Sequence, residues 1–388
     1  MGRELAVLRF HHLIAGIVVV AASGLLATAS SAALPPGCSQ SGQTVTCTYT
    51  AGSNPLTVPA SSVQVIAVGA LGAGNLTGSG GYGARVTGEV SVVPGTTVYA
   101  IVGASGGAST PGAAGGGAGG FGFLGTSGGG GASDVQTSLN DLSTRLLVAG
   151  GGGGAGGLGG FELGMAHSLS GVSGSGGSGG GNNGDDSPGG GGGGRGATNG
   201  TGGAGGTAGA SRCFYPPSPY PPICSGGTAG AQGGPGSGAA GGGAGTFGQP
   251  GSSSLFLAGG GGGGGGGGWF GGGGGGGGGL LAGGGGGGGG SNLVPSGGSQ
   301  SVDTTGVSMV QISYVPAPTS KAQCKSGGWR NYSRFKSQGQ CVAFVVNQAR
   351  QSCRAERGKI GLVAFRNKYG LGPYHVLAMR RCVNQTSR

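Results

Sequence analysis

Apolar and polar side chains alternate with period two in several short stretches of this chain. Residues 63–68 (VQVIAV), 86–92 (VTGEVSV) and 97–102 (TVYAIV) read as half-buried strands, and so does 310–314 (VQISY) far downstream. Pro94 and Gly95, between the second and third, supply the fixed φ and the positive φ of a type II turn. Strands of this kind predict an antiparallel β-sandwich. A sandwich that closes with the last strand would clamp everything between its own strands.

What lies between is mostly glycine. Runs of ten, nine and eight glycines occupy 259–268, 271–279 and 283–290, split only by Trp269-Phe270 and Leu280-Leu281-Ala282. Three openings repeat: LLVAG from Leu146, LFLAG from Leu255 and LLAG from Leu280. Each reads as an apolar anchor followed by an extended rod. In the polyproline II geometry nine glycines span roughly 28 Å without internal hydrogen bonds, so rods gain order only by bonding to each other. Packed polyglycine II helices are the expectation, and a flexible linker is the alternative.

Composition narrows the class. Of 388 residues, 111 are glycine and 7% are charged, without the triplet-and-proline pattern of collagen or the charge of ordinary disorder. Arg3 and Arg9 precede an apolar run over residues 13–22, then Ala27-Thr28-Ala29 and a second candidate cleavage site after Ala33. Residues 1–33 are therefore expected to be a secretory signal, with no transmembrane anchor left after its cleavage and a secreted, extracellular or cell-surface destination. Eight cysteines fit an oxidising compartment: Cys38, Cys47, Cys213, Cys224, Cys324, Cys341, Cys353 and Cys382. Spacing argues against zinc, and disulfides between sequence neighbours are the expectation, although connectivity is not fixed by sequence.

Charge divides the chain. Residues 319–388 carry 14 Lys+Arg against Glu356 alone, a net of +13, while the rest carries six Arg and eight acids, a net of −2. The expected organisation is a glycine-rich domain over 34–315, a linker over 316–320 and a basic helical domain over 321–388. Residues 338–357 read as a helix with Val342, Phe344, Val345 and Ala349 inward and Gly358 at its end, followed by helical candidates at 360–369 and 375–385. Two disulfides would staple so small a domain.

Catalytic chemistry finds little support. Beyond the signal only His167 and His375 remain, and the acids are scattered. The G-x-S-x-G match at 176–180 and repeated G-x-G-x-x-G matches arise by chance at this glycine content, and no lysine precedes Lys321 to complete a phosphate loop. Asp185-Asp186 in a glycine loop read as solvated rather than as a calcium site. No catalytic residue, metal site or cofactor is expected. Two recognition candidates remain. Lys325, Trp329, Arg330, Tyr332, Arg334 and Lys336, with Phe335, interleave cations and aromatics, a pattern suited to anionic polymers, against the alternative of a small core with solvated charges. Between Cys213 and Cys224, proline stiffens a loop that would display Phe214, Tyr215 and Tyr220, against the alternative of a stapled insertion. Asn75, Asn199, Asn331 and Asn384 sit in glycosylation sequons.

Four segments carry a resemblance. LTVPASSVQVIAVGA (56–70), GGYGARVTGEVSVVPGTTVYAIVG (80–103), GGGGASDVQT (128–137) and RLLVAGGGGG (145–154) resemble bacterial secreted glycine-rich proteins. These in turn look like the glycine-rich extracellular domain of the anaplastic lymphoma kinase and leukocyte tyrosine kinase receptors. The resemblance covers roughly 38–315 and implies a mainly β fold: a tumour-necrosis-factor-like antiparallel sandwich carrying packed polyglycine helices. The chain departs from those receptors in lacking a kinase domain and a membrane span, and their cytokine-contacting residues find no match here. The basic tail resembles a short Cys-containing module of secreted bacterial proteins that carries no established activity.

Together these features predict a secreted, non-enzymatic structural or adhesion-type protein whose basic tail binds anionic cell-envelope polymers. An extracellular module that binds a protein ligand is the first alternative and a wall-directed hydrolase a distant one. Nucleic acid is not an expected partner.

Overall fold

The alternating segments become strands because each has one apolar row to bury. The computed structural model describes residues 34–121, 126–139, 141–160, 178–179, 181–183, 194–196, 203–204, 206–208, 212–214, 221–225, 229, 259–332, 334–370 and 377–388. In chain order the strands are β1 (Cys38–Ser41), β2 (Thr44–Tyr49), β3 (Gly52–Val58), β4 (Ser62–Val68), β5 (Ala84–Ser91), β6 (Thr96–Val102), β7 (Ser133–Gln136), β8 (Arg145–Ala149), β9 (Arg212–Phe214), β10 (Ile223–Ser225), β11 (Ser299–Val302) and β12 (Met309–Tyr314). They form two main antiparallel sheets, β1-β2-β12-β4-β5-β11 and β3-β6-β7-β8, with β9-β10 as a separate ribbon. Val63, Val65, Val86, Val310 and Ile312 of the first sheet share one core with Leu56, Val98, Val135 and Leu147 of the second.

The last strand closes the fold. β12 lies between β2 and β4, with Ile312 opposite Cys47 on one side and Val65 on the other. The Cys38–Cys47 disulfide ties β1 to β2. Gly95 has φ +87°, and the Thr96 N–H donates to the Val93 carbonyl at 3.1 Å, as a type II turn requires. That turn does not close a hairpin: β5 pairs with β4 and β11, whereas β6 pairs with β3 and β7. A type II turn splays its flanking strands, so here it carries the chain from one sheet to the other.

The three glycine runs are buried along their whole length. Their hydrogen bonds recur every third residue: Gly260, Gly263 and Gly266 donate to the carbonyls of Ala282, Gly285 and Gly288. Other residues of the first run face other neighbours, Gly264 and Gly267 donating to Ser127 and Gly130. Gly151, Gly154 and Gly157 donate in turn to Gly267, Gly264 and Gly261. The last three belong to a segment that continues directly from β8. Segments after β4 and β6 join the same array, through Ala70 to Gly131, Ala73 to Gly128 and Ala104 to Ala113.

The basic tail is helical: α1 (Lys321–Cys324), α2 (Gln338–Ile360), α3 (Leu362–Tyr369) and α4 (Ala378–Thr386). Ser320 and Gln323 cap α1 reciprocally, and the Ser337 hydroxyl accepts from the Gln340 N–H at the start of α2. Cys324–Cys341 ties α1 to α2, and Cys353–Cys382 ties α2 to α4. Gly358 does not end α2, which runs on to Ile360 and breaks at Gly361, where φ is +81°. Arg357 and Lys359 in that last turn complement the carbonyl end of the helix dipole, which favours the longer helix. Cys341, Val345, Ala349 and Cys353 form its buried stripe, while Val342 and Phe344 pack at the margin. Among the described residues no helix is long and apolar enough to cross a membrane, and no cysteine is free.

Candidate functional site

The stretch from Cys324 to Cys341 is a loop held at both ends by its own disulfide. Inside it, Gly327 takes φ +85° and starts a 3-10 turn over Gly328–Asn331. The turn sorts the residues by side. Tyr332 and Phe335 pack with Cys324, Cys341 and Val345, whereas Lys325, Arg330, Arg334 and Lys336 are exposed and Trp329 is half-buried. Tyr332, expected on the binding surface, is only 5% exposed and belongs to the core; burial pushes its hydroxyl above the ordinary range. A domain this small has few apolar side chains, so its aromatics are taken by the core first.

The cations left outside are stacked but not neutralised. The Arg334 guanidinium lies 4.2 Å from the Phe344 ring centroid and 5.3 Å from that of Phe335, and Arg330 lies 5.2 Å from that of Trp329. Neither arginine pairs with a carboxylate among the described residues. The tail's single acid, Glu356, accepts from Lys368 at 2.6 Å and from Tyr369 at 2.8 Å, which joins α2 to α3 and holds its carboxyl below the usual range. Among the described residues no other lysine or arginine of the tail pairs with a carboxylate.

Arg330 and Arg334 face a cleft of about 360 Å³ against the outer surface of the six-stranded sheet. The opposite wall is a polar row across β5, β4 and β12, where Gln64 is opposite Glu89 on one side and Ser313 on the other. The alternation that buries Val63, Val65 and Ile312 turns these three side chains outward. The sheet side of this cleft is not signalled in the sequence, because single polar residues on alternating strands look alike wherever they fall.

A second polar cluster lies at the junction of the four-stranded sheet and the glycine runs. Asp134, Gln136 and Arg145 point away from the shared core yet are buried, with Asp134 4% and Arg145 6% exposed. Arg145 donates from Nε to the Leu142 carbonyl at 3.1 Å and from Nη1 to the Gly268 carbonyl at 3.0 Å, and its guanidinium lies 4.9 Å from the Trp269 ring centroid. The arginine thus latches the Trp269-Phe270 turn to β8. Among the described residues, Asp134 Oδ1 and Gln136 Oε1 have no hydrogen-bond partner. Burial raises the Asp134 carboxyl to about 7 although the nearby Arg145 charge opposes the shift, and burial lowers Arg145. Among the described residues no three His, Cys, Asp or Glu side chains gather as a metal site.

The loop candidate is only partly in view. Cys213 lies directly opposite Cys224, and Phe214 opposite Ile223, in the β9-β10 ribbon. Tyr215, Tyr220, His167, His375, Asp185 and Asp186 lie outside the described residues, as does the expected signal over 1–33. Comparison with models of known protein families finds none that matches this chain, and comparison with curated proteins finds no similar one.

Proposed function

We propose that the chain is a secreted, non-enzymatic surface or extracellular-matrix protein, a stiff glycine-rich body that its basic tail attaches to anionic envelope polymers. The body is read as a tumour-necrosis-factor-like sandwich carrying packed polyglycine II helices. Hydrogen bonds that recur every third residue support that reading, since polyproline II geometry has three residues per turn. The three disulfides among the described residues suit an oxidising, extracellular environment.

The observation that carries the attachment is the tail's uncompensated charge: 14 Lys+Arg over residues 319–388 with Glu356 already engaged by Lys368 and Tyr369. Long-range attraction to a polyanion originates there, because the rest of the chain sums to −2. The mature chain should sediment with its own cell envelope at low salt and be released as salt rises, since exposed charges are screened over about 8 Å at physiological ionic strength. A chain truncated after Pro318 should remain in solution. Equal retention of both, or retention indifferent to salt, would overturn the proposal. An extracellular ligand-binding module is the second reading, favoured by the cleft beside Arg330 and Arg334.

A further inference from the structure

We infer that the cleft between the tail and the six-stranded sheet binds an acidic glycan, a sugar chain bearing carboxylates. This rests on the reading that the tail attaches to anionic polymers, and it names the chemistry of the attachment.

One wall supplies charge in fixed directions. A guanidinium presents paired N–H donors that match a carboxylate in a bidentate fork. Arg334 against Phe344 and Arg330 against Trp329 are both propped by an aromatic ring, so less side-chain freedom is lost when a ligand arrives. Asn331 lies between them in sequence and adds an amide to the same wall.

The other wall decides which anion fits. Glu89, Gln64 and Ser313 form a row across three adjacent strands, about 10 Å long at the usual strand spacing. It offers a carboxylate acceptor, an amide that both donates and accepts, and a hydroxyl. Polyphosphate would place charge against Glu89 and offer no donor to it, although its oxygens could accept from Gln64 and Ser313. A neutral sugar would satisfy the row but leave both arginines unpaired. Only a ligand with hydroxyls along one edge and carboxylates along the other answers both walls. The cleft volume of about 360 Å³ falls in the range of small-ligand sites and suits a short stretch of such a chain.

The test uses the full mature chain and three probes: polygalacturonate with carboxylates and hydroxyls, polyphosphate with charge alone, and dextran with hydroxyls alone. Polygalacturonate should bind best. The double substitution Arg330→Gln with Arg334→Gln should weaken it at least tenfold. Arg354→Gln with Arg357→Gln removes equal charge from the exposed surface of α2 and should change binding no more than threefold. Glu89→Gln should weaken polygalacturonate and strengthen polyphosphate. All five side chains are exposed; helical circular dichroism verifies the fold of the arginine variants, and protection of the sheet amides from hydrogen exchange verifies that of Glu89→Gln. If the two arginine pairs weaken binding equally, attraction is bulk charge, and the cleft falls while the tail's attachment stands. If polyphosphate binds as well as polygalacturonate and ignores Glu89→Gln, the glycan falls. If the unaltered chain binds none of the anionic probes, both readings fall together.

Discussion

The glycine-rich body and the basic tail use glycine in opposite ways. In the runs between Gly259 and Gly290 glycine is structural material: every glycine is buried, and neighbouring backbones approach with nothing between them. In the tail it is punctuation, with Gly327 and Gly361 supplying positive φ at a turn and a helix break. The same contrast governs charge. The tail's one acidic side chain, Glu356, sits near the surface with two partners, whereas Asp134 in the body is buried with one oxygen unanswered among the described residues. A body of bare backbone satisfies its own amides rod to rod and has no side chains to spare for a stray carboxyl. Side-chain packing holds the tail, and backbone-to-backbone bonding holds the glycine array.

The comparison breaks most visibly at Gly287. A Cβ there would lie 2.1 Å from the Gly264 carbonyl oxygen, where real contacts do not fall below 3.0 Å. Neither rod has a flexible side chain to give way, and Gly287 itself donates to the Gly154 carbonyl at 2.8 Å. Separating the rods costs overpacking of roughly 1–3 kcal/mol and several hydrogen bonds at about 1 kcal/mol each. Gly287→Ala should therefore destabilise the body by about 4–6 kcal/mol, on the scale of a whole domain's stability. Hydrogen exchange in the unaltered chain should find the amides from Gly259 to Gly290 protected, and the variant should lose that protection. Coil-like exchange in both would return the runs to a flexible linker.

How much of this was legible depends on the physics of each element. The four alternating segments appear as β4, β5, β6 and β12, because one row is buried and the other faces outward. β11 is a short, fully exposed, polar edge strand, and β1 (CSQS) is scarcely less so, leaving no apolar row to find. β7 fails for the opposite reason: all four residues are buried, so Asp134 and Gln136 break the pattern on a face that the glycine array covers. Segments such as 69–73, which continue β4 into that array, carry small residues apart from Leu71 and offer no alternation to read. The anchoring role of Trp269-Phe270 is legible, but its partner Arg145 is not, since a stacking pair so distant in sequence has no spacing rule. In the tail α2, α3 and α4 are legible and the single turn of α1 is not, while Gly358 resembles a helix end and is not one.

Asp134 sharpens the contrast through pH. Its carboxyl titrates at about 7 when folded, against 3.8 as an unperturbed group, so between those values the folded chain holds a proton that the unfolded chain has released. Stability therefore declines as pH rises through that window and levels off above about 7. Asp134→Asn replaces the titrating carboxyl with a neutral amide of nearly the same volume. It should stabilise the body at pH 8 by roughly 2–4 kcal/mol relative to the unaltered chain, and by almost nothing at pH 4. Urea midpoints at the two pH values test this. Parallel pH profiles for both proteins would mean that Asp134 keeps its charge at no cost, and that the body does answer buried carboxyls.

The smallest effect, at Gly358, separates the two uses of glycine most cleanly. Gly358 lies inside α2 with helical backbone, is exposed, and a Cβ there would meet nothing within 4 Å. No close approach and no positive φ requires glycine, so alanine there only restricts the unfolded chain and favours the helix. Gly358→Ala should stabilise the tail by about 0.5–1 kcal/mol. All the α-helices among the described residues lie in the tail, so thermal melting followed at 222 nm reports on it rather than on the sheets. For a domain of this size the midpoint should rise by a few degrees. A lowered midpoint would mean that α2 ends at Gly358 in solution, as the sequence pattern suggests, and that this glycine too is held by its backbone conformation.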